Sequence, residues 1–381
     1  MSHRIRLAFV IPTLGKGGAE KVLVNFVNHI NPAEYEVYIF CLKKKGELLP
    51  LVRENIHVID IDAPRAYFSI FALRKAIKKY KPEVLIGWLG HVNAILSFFK
   101  PLLPGKLVLL CRESSIPSLF ISHYRLPFLF RFFYGFYNRF DGIICQSEAM
   151  KDDLVNNFNV ASSKIRIIFN PVVPSVATDP RVSLEASVFL QKRQKFLLFV
   201  GRFSEEKRVH LIINCMEHLP IDYKLILIGY GGKENELRSL IREKNLNDRI
   251  LIVNDCSDPT PYYKLSDCLL LSSSFEGFPN VLLEANLQGC PVVVYQTQGG
   301  AREIVNPSNG IYIEDGRGIE TFAKSIIEVC TSGRFNRQQI SQRTSNEFDI
   351  ERKTEEYLSF VKGFLNRSTT SDHRPIMDHQ Q

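Results

Sequence analysis

The chain has 381 residues, of which 45% are hydrophobic and 23% charged; this is ordinary for a globular protein but long for a single core, so two domains are expected. No apolar run of about 18 residues occurs, so no membrane-spanning helix is predicted. The net charge of +8 is uneven, because residues 1–175 hold 23 Lys and Arg against 13 Asp and Glu. This excess favours an anionic partner, although a solvated basic surface without a role is the alternative.

The cysteines and the N-terminal residues are typical of a cytosolic protein. The eight cysteines form no C-x-x-C pair, and several lie in apolar runs, which predicts reduced, buried thiols with neither disulfides nor a metal site. The apolar run after the basic N-terminus is cut short by Pro12 and Gly15. We therefore interpret it as a first strand rather than a signal peptide.

Short apolar runs alternate with stretches of helical periodicity along the first half of the chain. This alternation predicts a parallel sheet covered by helices on both faces. The predicted strands are Arg4–Leu14, Glu36–Leu42, Ile56–Ile61, Glu83–Leu89, Lys106–Arg112, Asp141–Gln146 and Lys164–Phe169.

The pattern is interrupted at 171–194, which carries three prolines and is interpreted as an interdomain linker. A second series of strands follows at Lys195–Val200, Lys224–Gly229, Arg249–Asn254, Asp267–Leu271, Pro291–Tyr295 and Gly310–Ile313. The fold class is therefore α/β, with two Rossmann-like, doubly wound domains at 1–170 and 195–346. A further helix is expected at 347–366, and a disordered polar tail at 367–381.

Four features of the second half follow predicted strands, and such sheets bind ligands beyond the carboxyl ends of their strands. In the first, at 200–207, Arg202 and Lys207 supply two cations suited to a diphosphate, although a plain strand–helix junction is equally consistent. The second is a glycine-rich turn at 228–232, for which a simple structural turn is the stronger interpretation.

The third feature, at 273–285, joins a strand to a helix. Glu276 lies in the loop and Glu284 in the helix, and the N–H groups around Asn280 and Val281 are expected to face an anion. Two acids at this spacing also occur by chance, so only their context makes them informative. The fourth feature, at 298–303, could line the same cleft, but it is at least as consistent with a structural turn.

Together these features resemble glycosyltransferase family 4, in which two Rossmann-like domains face each other across a cleft (the GT-B fold). The strongest match is the E-x7-E motif of Glu276 and Glu284, in SSSFEGFPNVLLEANLQGCPVV. GRFSEEKRVHLII resembles the family's G-R-x-x-x-x-K-G element, but Arg208 takes the usual glycine position, which is expected to affect the turn and not the charged pair. IGYGGKENEL and IPTLGKGGAEKVLVNF resemble its glycine-rich turns. In this fold, a helix such as 347–366 crosses back onto the first domain.

The resemblance implies a nucleotide-sugar donor, UDP-linked, and a role for each matching residue. Arg202 and Lys207 would hold the diphosphate. Glu284 would bond the ribose hydroxyls, Glu276 would contact the transferred sugar, and backbone near Val253 would meet the base. The other implied donor-binding residues are Gly17, Gly18, Gly229, Gly277, Phe278, Asn280 and Val281.

The departing diphosphate gathers negative charge, which some enzymes neutralise with a divalent cation. This sequence has no convincing metal cluster, so no metal or other cofactor is expected, and fixed cations with a helix N-terminus would take that role. Family members of this kind retain the anomeric configuration. The residues identify neither the proton acceptor nor a carboxylate pair for double displacement.

Two residues of the first half are further candidates for catalysis, beside Glu276. His91 resembles a family histidine next to the transferred sugar, with a helix-capping or surface histidine as the alternative. Glu113 follows a predicted strand, and it either orients the acceptor hydroxyl or pairs with Arg112.

Residues 118–140 hold nine Phe or Tyr after Phe120, together with three arginines. This mixture suits a membrane interface, with a packed core helix as the alternative. The expected acceptor is then a glycan or polyprenyl-diphosphate-linked sugar of a surface polysaccharide such as lipopolysaccharide. The protein is expected to be cytoplasmic and peripheral on the inner face of the cell membrane.

Other functions are considered on the same residues. A nucleotide-sugar 2-epimerase of this fold would share the diphosphate pocket, and a non-catalytic subunit should have lost the site charges, which are present. No G-x-G-x-x-G follows the first strand, which disfavours a dinucleotide oxidoreductase. No nucleic-acid-binding module accompanies the basic charge, so nucleic acid is not an expected partner.

Overall fold

The computed structural model describes residues 3–62, 69–122, 126–173, 184–189, 194–254, 256, 258–314 and 316–370. These residues form two compact units. One consists of the chain up to Pro171 together with the chain from Ile350 onward, and the other is Val172–Asp349. Each unit is built on its own parallel sheet, which confirms the predicted α/β class with two doubly wound parts.

The first unit has a seven-stranded parallel sheet in the order β3-β2-β1-β4-β5-β6-β7. Each strand overlaps its predicted run, but the bounds differ by up to three residues, since the first run extends to Leu14 and its strand ends at Ile11. The inner strands are apolar and buried along their length, because helices cover both faces of the sheet. The strands are β1 (Ile5–Ile11), β2 (Tyr35–Cys41), β3 (His57–Asp60), β4 (Val84–Gly87), β5 (Val108–Arg112), β6 (Gly142–Cys145) and β7 (Ile165–Ile167). The helices between them are α1 (Gly18–Asn28), α2 (Ser69–Tyr80), α3 (Gly90–Phe99), α4 (Pro117–Ser122), α5 (Pro127–Tyr134) and α6 (Glu148–Phe158).

The second unit has a six-stranded parallel sheet in the order β10-β9-β8-β11-β13-β15 and a small two-stranded sheet, β12-β14. The strands are β8 (Lys195–Val200), β9 (Tyr223–Ile228), β10 (Ile250–Val253), β11 (Cys268–Leu271), β12 (Phe275–Glu276), β13 (Val292–Tyr295), β14 (Gln298–Gly299) and β15 (Gly310–Ile313). The helices are α7 (Leu184–Phe189), α8 (Val209–Cys215), α9 (Glu234–Glu243), α10 (Thr260–Leu265), α11 (Asn280–Leu287), α12 (Ile319–Thr331) and α13 (Arg337–Glu347).

The C-terminal helix, Ile350–Thr370, packs on the first unit. The Tyr357 ring centroid lies 4.7 Å from that of Phe26, and Val361 is fully buried in the same core. Phe360 and Phe364 pack against that core as well, so one face of the helix is apolar.

Two predicted segments need correction. The linker at 171–194 contains α7, which belongs to the second unit and is too short to show a helical period. The C-terminal helix begins at Ile350, because Glu347 ends α13, and it continues to Thr370, into the tail predicted to be disordered from 367. A polar stretch does not stop a nucleated helix, since each added residue contributes one backbone hydrogen bond. Residues 371–381 lie outside the described part.

Candidate functional site

The sheet of the second unit reverses its winding between β8 and β11, so the loops after these neighbouring strands open a crevice at its carboxyl edge. Lys207 follows β8 and Glu276 follows β11. Lys207 Nζ lies 2.5 Å from Glu276 Oε1, and Ser273 Oγ donates to the same oxygen at 2.7 Å. The two charged side chains are only 20% and 15% exposed. The fold therefore joins a cation and a carboxylate that were both predicted to contact the donor.

Arg202, the other predicted cation, has different surroundings. Its backbone is fixed, because the Gly201 N–H donates to Ile228 O at 3.0 Å and the Phe203 N–H donates to Tyr230 O at 2.8 Å. Its side chain is 71% exposed and lies 4.0 Å from Glu206. The two predicted cations are thus one partly buried ammonium and one exposed guanidinium.

Arg208 stands at the position that is usually glycine in the resembled element. Its backbone is left-handed, with φ +46° and ψ +40°, a conformation that costs a residue other than glycine about 1–2 kcal/mol. Its guanidinium donates to four backbone carbonyl oxygens, which offsets that strain. The arginine therefore adopts a backbone conformation that favours glycine, and its side chain is anchored on neighbouring strand ends.

Gly229 allows two strand-end loops to touch. A Cβ atom placed on Gly229 would lie 1.9 Å from the carbonyl oxygen of Gly201, and one on Gly231 would lie 2.4 Å from that of Phe203. The Gly229 N–H donates to Val253 O at 3.0 Å, which ties in the end of β10 as well. The close approach of the protein's own backbones requires these glycines, which agrees with the interpretation of the segment as a structural turn.

Glu284 lies on α11, the helix that starts just after the Glu276 loop. It accepts a hydrogen bond from the hydroxyl of the buried Tyr263 at 3.0 Å. Asn280 and Val281 form the first turn of α11, whose N-cap, Pro279, provides no side-chain cap. Gly277 and Phe278 are buried just before it. Tyr263 gave no signal in the sequence beyond being aromatic.

The fourth strand-end feature pairs with the third. The Gln298 N–H donates to Ser274 O at 3.0 Å, and the Gly300 N–H donates to Glu276 O at 3.2 Å, so β14 supports the Glu276 loop. Arg302 Nη1 instead donates to Glu314 at 2.8 Å. This segment acts as a structural support, which was one of its two interpretations.

In the first unit, Glu113 is 1% exposed and is held by two tyrosines of the aromatic segment. Tyr137 Oη donates to its Oε1 at 2.6 Å, Asn93 Nδ2 donates to the same oxygen at 3.1 Å, and Tyr134 Oη lies 3.4 Å from Oε2. Burial raises the pKa of Glu113 to about 7, against the lowering effect of these hydrogen bonds. Arg112 donates instead to Asn170 at 2.6 Å and lies over the Trp88 ring, so a simple pair with Glu113 is not what forms.

His91 is the second residue of α3, and the start of that helix follows β4. Its N-cap is Leu89, so the capping alternative for His91 is wrong. Burial lowers the pKa of His91, which favours the neutral imidazole. Gly17 and Gly18 start α1 in the same way, after β1.

The segment predicted to contact a membrane contains α4 and α5, with residues 123–125 outside the described part. On and just before α5, large apolar side chains are exposed: Leu126 by 51%, Phe128 by 70% and Phe132 by 55%. Tyr134, by contrast, is buried. One face of the segment therefore packs in the core, as the alternative has it, and the other leaves apolar side chains exposed to solvent. Along the described residues, no helix is long and apolar enough to span a bilayer.

In the described ranges, no three His, Cys, Asp or Glu side chains are arranged to hold a metal ion. The sequence has one D-x-D pair, Asp60 and Asp62. Asp60 Oδ1 accepts from the Asp62 N–H at 2.9 Å, so this pair makes a local turn after β3.

Comparison with known proteins places both halves in described families. Residues 183–346 match Glycosyl transferases group 1, and residues 16–176 match Glycosyltransferase Family 4. The chain is 26% identical over 321 residues to the N-acetylgalactosamine-N,N'-diacetylbacillosaminyl-diphospho-undecaprenol 4-alpha-N-acetylgalactosaminyltransferase of Campylobacter jejuni, covering 81% of this chain and 86% of that one. It is 26% identical over 328 residues to the lipopolysaccharide 1,6-galactosyltransferase of Escherichia coli, covering 82% and 86%.

Among solved structures, the chain is similar to HepE of Anabaena in complex with UDP and glucose. The TM-score is 0.78 with 18% identity, covering 94% of this chain and 100% of that one. At this level of identity the likeness speaks for the fold alone.

Proposed function

The chain belongs to glycosyltransferase family 4, and from this premise we propose that it moves a sugar from a UDP-linked donor to a lipid-linked glycan, with retention of the anomeric configuration. The observation that carries the proposal is the Lys207–Glu276 pair at the winding reversal of the second sheet. A nucleotide sugar carries a diphosphate beside a sugar rich in hydroxyls. An ammonium suits the diphosphate and a carboxylate suits the sugar hydroxyls, and here the two groups are held 2.5 Å apart.

The second unit assists departure of the diphosphate by fixed charge. Lys207 and Arg202 neutralise the developing phosphate charge, and the first-turn N–H groups of α11 add their dipoles. Glu276 accepts hydrogen bonds from the transferred sugar, and Glu284, held by Tyr263, accepts from the ribose hydroxyls. Because these charges are in place before the reaction, we propose that no metal ion is needed.

Retention requires the acceptor oxygen to attack the anomeric carbon on the face that the diphosphate leaves. The bond from the anomeric carbon to the phosphate oxygen breaks, the new glycosidic bond forms, and the acceptor proton passes to the departing phosphate. We assign His91, as a neutral imidazole, to the neighbourhood of the transferred sugar.

The acceptor and the membrane role rest on relatives and on the first unit. The names of the relatives from C. jejuni and E. coli refer to a diphospho-undecaprenol substrate and to lipopolysaccharide. The exposed Phe128 and Phe132, with Arg131 between them, suit the boundary of acyl chains and headgroups. We propose that the protein binds the inner face of the cell membrane through this helix.

The test measures release of nucleoside diphosphate from a panel of nucleotide sugars, with and without undecaprenyl-diphosphate-linked glycans. We expect acceptor-dependent release from UDP-sugars, and kcat/KM about 100-fold lower in Lys207→Ala, which loses a charged contact to the leaving group. Lys324→Ala, exposed on α12, is the matched control and should behave as wild type. Wild-type kinetics in folded Lys207→Ala, or release that ignores the acceptor, would contradict the proposal. The anomeric proton coupling of the product tests retention.

A further inference from the structure

Arg208 gathers backbone oxygens from two neighbouring strand ends. Its Nε donates to Ser272 O at 2.7 Å, and its Nη2 lies 3.0 Å from Ser273 O, 3.3 Å from Tyr295 O and 2.6 Å from Gln296 O. The first two oxygens follow β11, and the other two end β13 or follow it. One planar guanidinium therefore joins the roots of the two loops that form β12 and β14.

The first of these loops carries Glu276. The Ser273 backbone oxygen is bound by Arg208, while the Ser273 hydroxyl donates to Glu276 Oε1 at 2.7 Å. Ser272 makes the reverse connection, because its hydroxyl lies 2.8 Å from Lys207 O and 3.1 Å from Arg208 O. The backbone of Lys207 and the side chain of Glu276 are thus linked through Arg208 and two serines.

The charge of Arg208 also has a local purpose. Four carbonyl oxygens directed at one point repel one another and any anion nearby, and a guanidinium with several N–H groups in one plane cancels that field. Arg208 is partly buried, and a residue other than glycine tolerates its left-handed backbone only with compensating contacts. The carbonyl contacts supply that compensation.

We propose that Arg208 is a positioning residue that fixes the Lys207 ammonium relative to the Glu276 carboxylate, so that both groups contact the same donor molecule. This inference rests on the proposed function of that pair. The inference adds a residue to that function, because Arg208 acts on the pair without contacting the donor itself. A glycine at 208 keeps the backbone but loses the link between the two loops.

Arg208→Gly is the sharpest variant, since glycine adopts φ +46° without strain and only the guanidinium is removed. We expect kcat/KM for the donor to fall about 100-fold, as for a small misplacement of binding groups, while KM for the acceptor is unchanged. Guanidinium ion, added below denaturing concentrations, should restore part of the loss. Arg334→Gly, which removes an exposed arginine bound to Glu328 and Pro307 O, is the control and should show neither loss nor rescue.

Arg208→Lys provides a second measurement should the glycine variant fail to fold. It keeps the charge but lacks the planar fork, so the same selective loss of donor kcat/KM is expected. Wild-type donor kinetics in either folded variant, or a loss in Arg208→Gly that guanidinium ion leaves unchanged, would overturn the inference. If Lys207→Ala also keeps wild-type kinetics, the proposed function itself fails; if only the Arg208 variants do, the positioning role alone fails.

Discussion

The buried carboxyl of Glu113 makes the stability of the first unit depend on pH. The group is 1% exposed, and burial raises its pKa from 4.5 to about 7 despite hydrogen bonds from Tyr137 and Asn93. The folded state therefore holds its proton more tightly than the unfolded state does. Stability from this group is fully present below about pH 4.5 and is lost as the pH rises through about 7.

The size of the effect follows from the two pKa values. A rise in the pKa from 4.5 to about 7 corresponds to roughly 3 kcal/mol in total, most of which falls between pH 5 and pH 8. Glu113→Gln removes the titration while keeping an oxygen that can accept from Tyr137. The variant should therefore lose about 2–3 kcal/mol less unfolding free energy than wild type over this interval.

Urea unfolding at pH 5 and pH 8, followed by tryptophan fluorescence, measures this directly. Trp88 is the single tryptophan of the chain and is fully buried in the same unit as Glu113. Glu54→Gln, at an exposed carboxyl, is the control and should follow wild type. Equal pH dependence in wild type and Glu113→Gln would refute the reasoning.

Two further predictions concern other parts of the chain. The double variant Phe128→Ser with Phe132→Ser should weaken co-sedimentation with anionic vesicles about tenfold or more, because two exposed rings are lost from the proposed membrane contact. The control Phe71→Ser, at another exposed ring, should sediment as wild type. Unchanged sedimentation of the double variant would contradict the membrane role. Gly229→Ala should lower both the unfolding midpoint and kcat/KM for the donor, since its Cβ would lie 1.9 Å from Gly201 O. The control Gly105→Ala, with open space around its Cβ, should leave both unchanged. A Gly229→Ala variant that behaves as wild type would contradict the close packing.

The strands were predictable because their physics is local. A parallel strand covered on both faces is continuously apolar, and every such run became a strand of the two large sheets. The exceptions are short elements. The two-residue strands β12 and β14 have no period to detect, and they form only because neighbouring strand ends bring their backbones together. The helix α7 lay hidden in a stretch that prolines marked as a linker.

Part of the candidate site was predictable for a similar reason. The rule that loops at strand ends converge identified Lys207 and Glu276, because β8 and β11 are neighbours in the sheet. The exposure of the Arg202 side chain was not predictable from its place after a strand. The tyrosines around Glu113 were not predictable either, since they come from a segment distant in the sequence. In the sequence, Arg208 was only a departure from the G-R-x-x-x-x-K-G element. Its contacts to carbonyl oxygens arise from the tertiary fold alone.

The central claim is that the carboxyl edge of the second sheet binds the nucleoside diphosphate of the donor. Calorimetric titration of UDP into wild type and Glu284→Gln tests it most directly, with Glu320→Gln, exposed on α12, as the control. We predict that wild type and Glu320→Gln bind UDP equally and that Glu284→Gln binds about tenfold or more weakly, because a charged acceptor of ribose hydroxyls is lost. Equal affinity in all three proteins, or no UDP binding by wild type, would contradict the account.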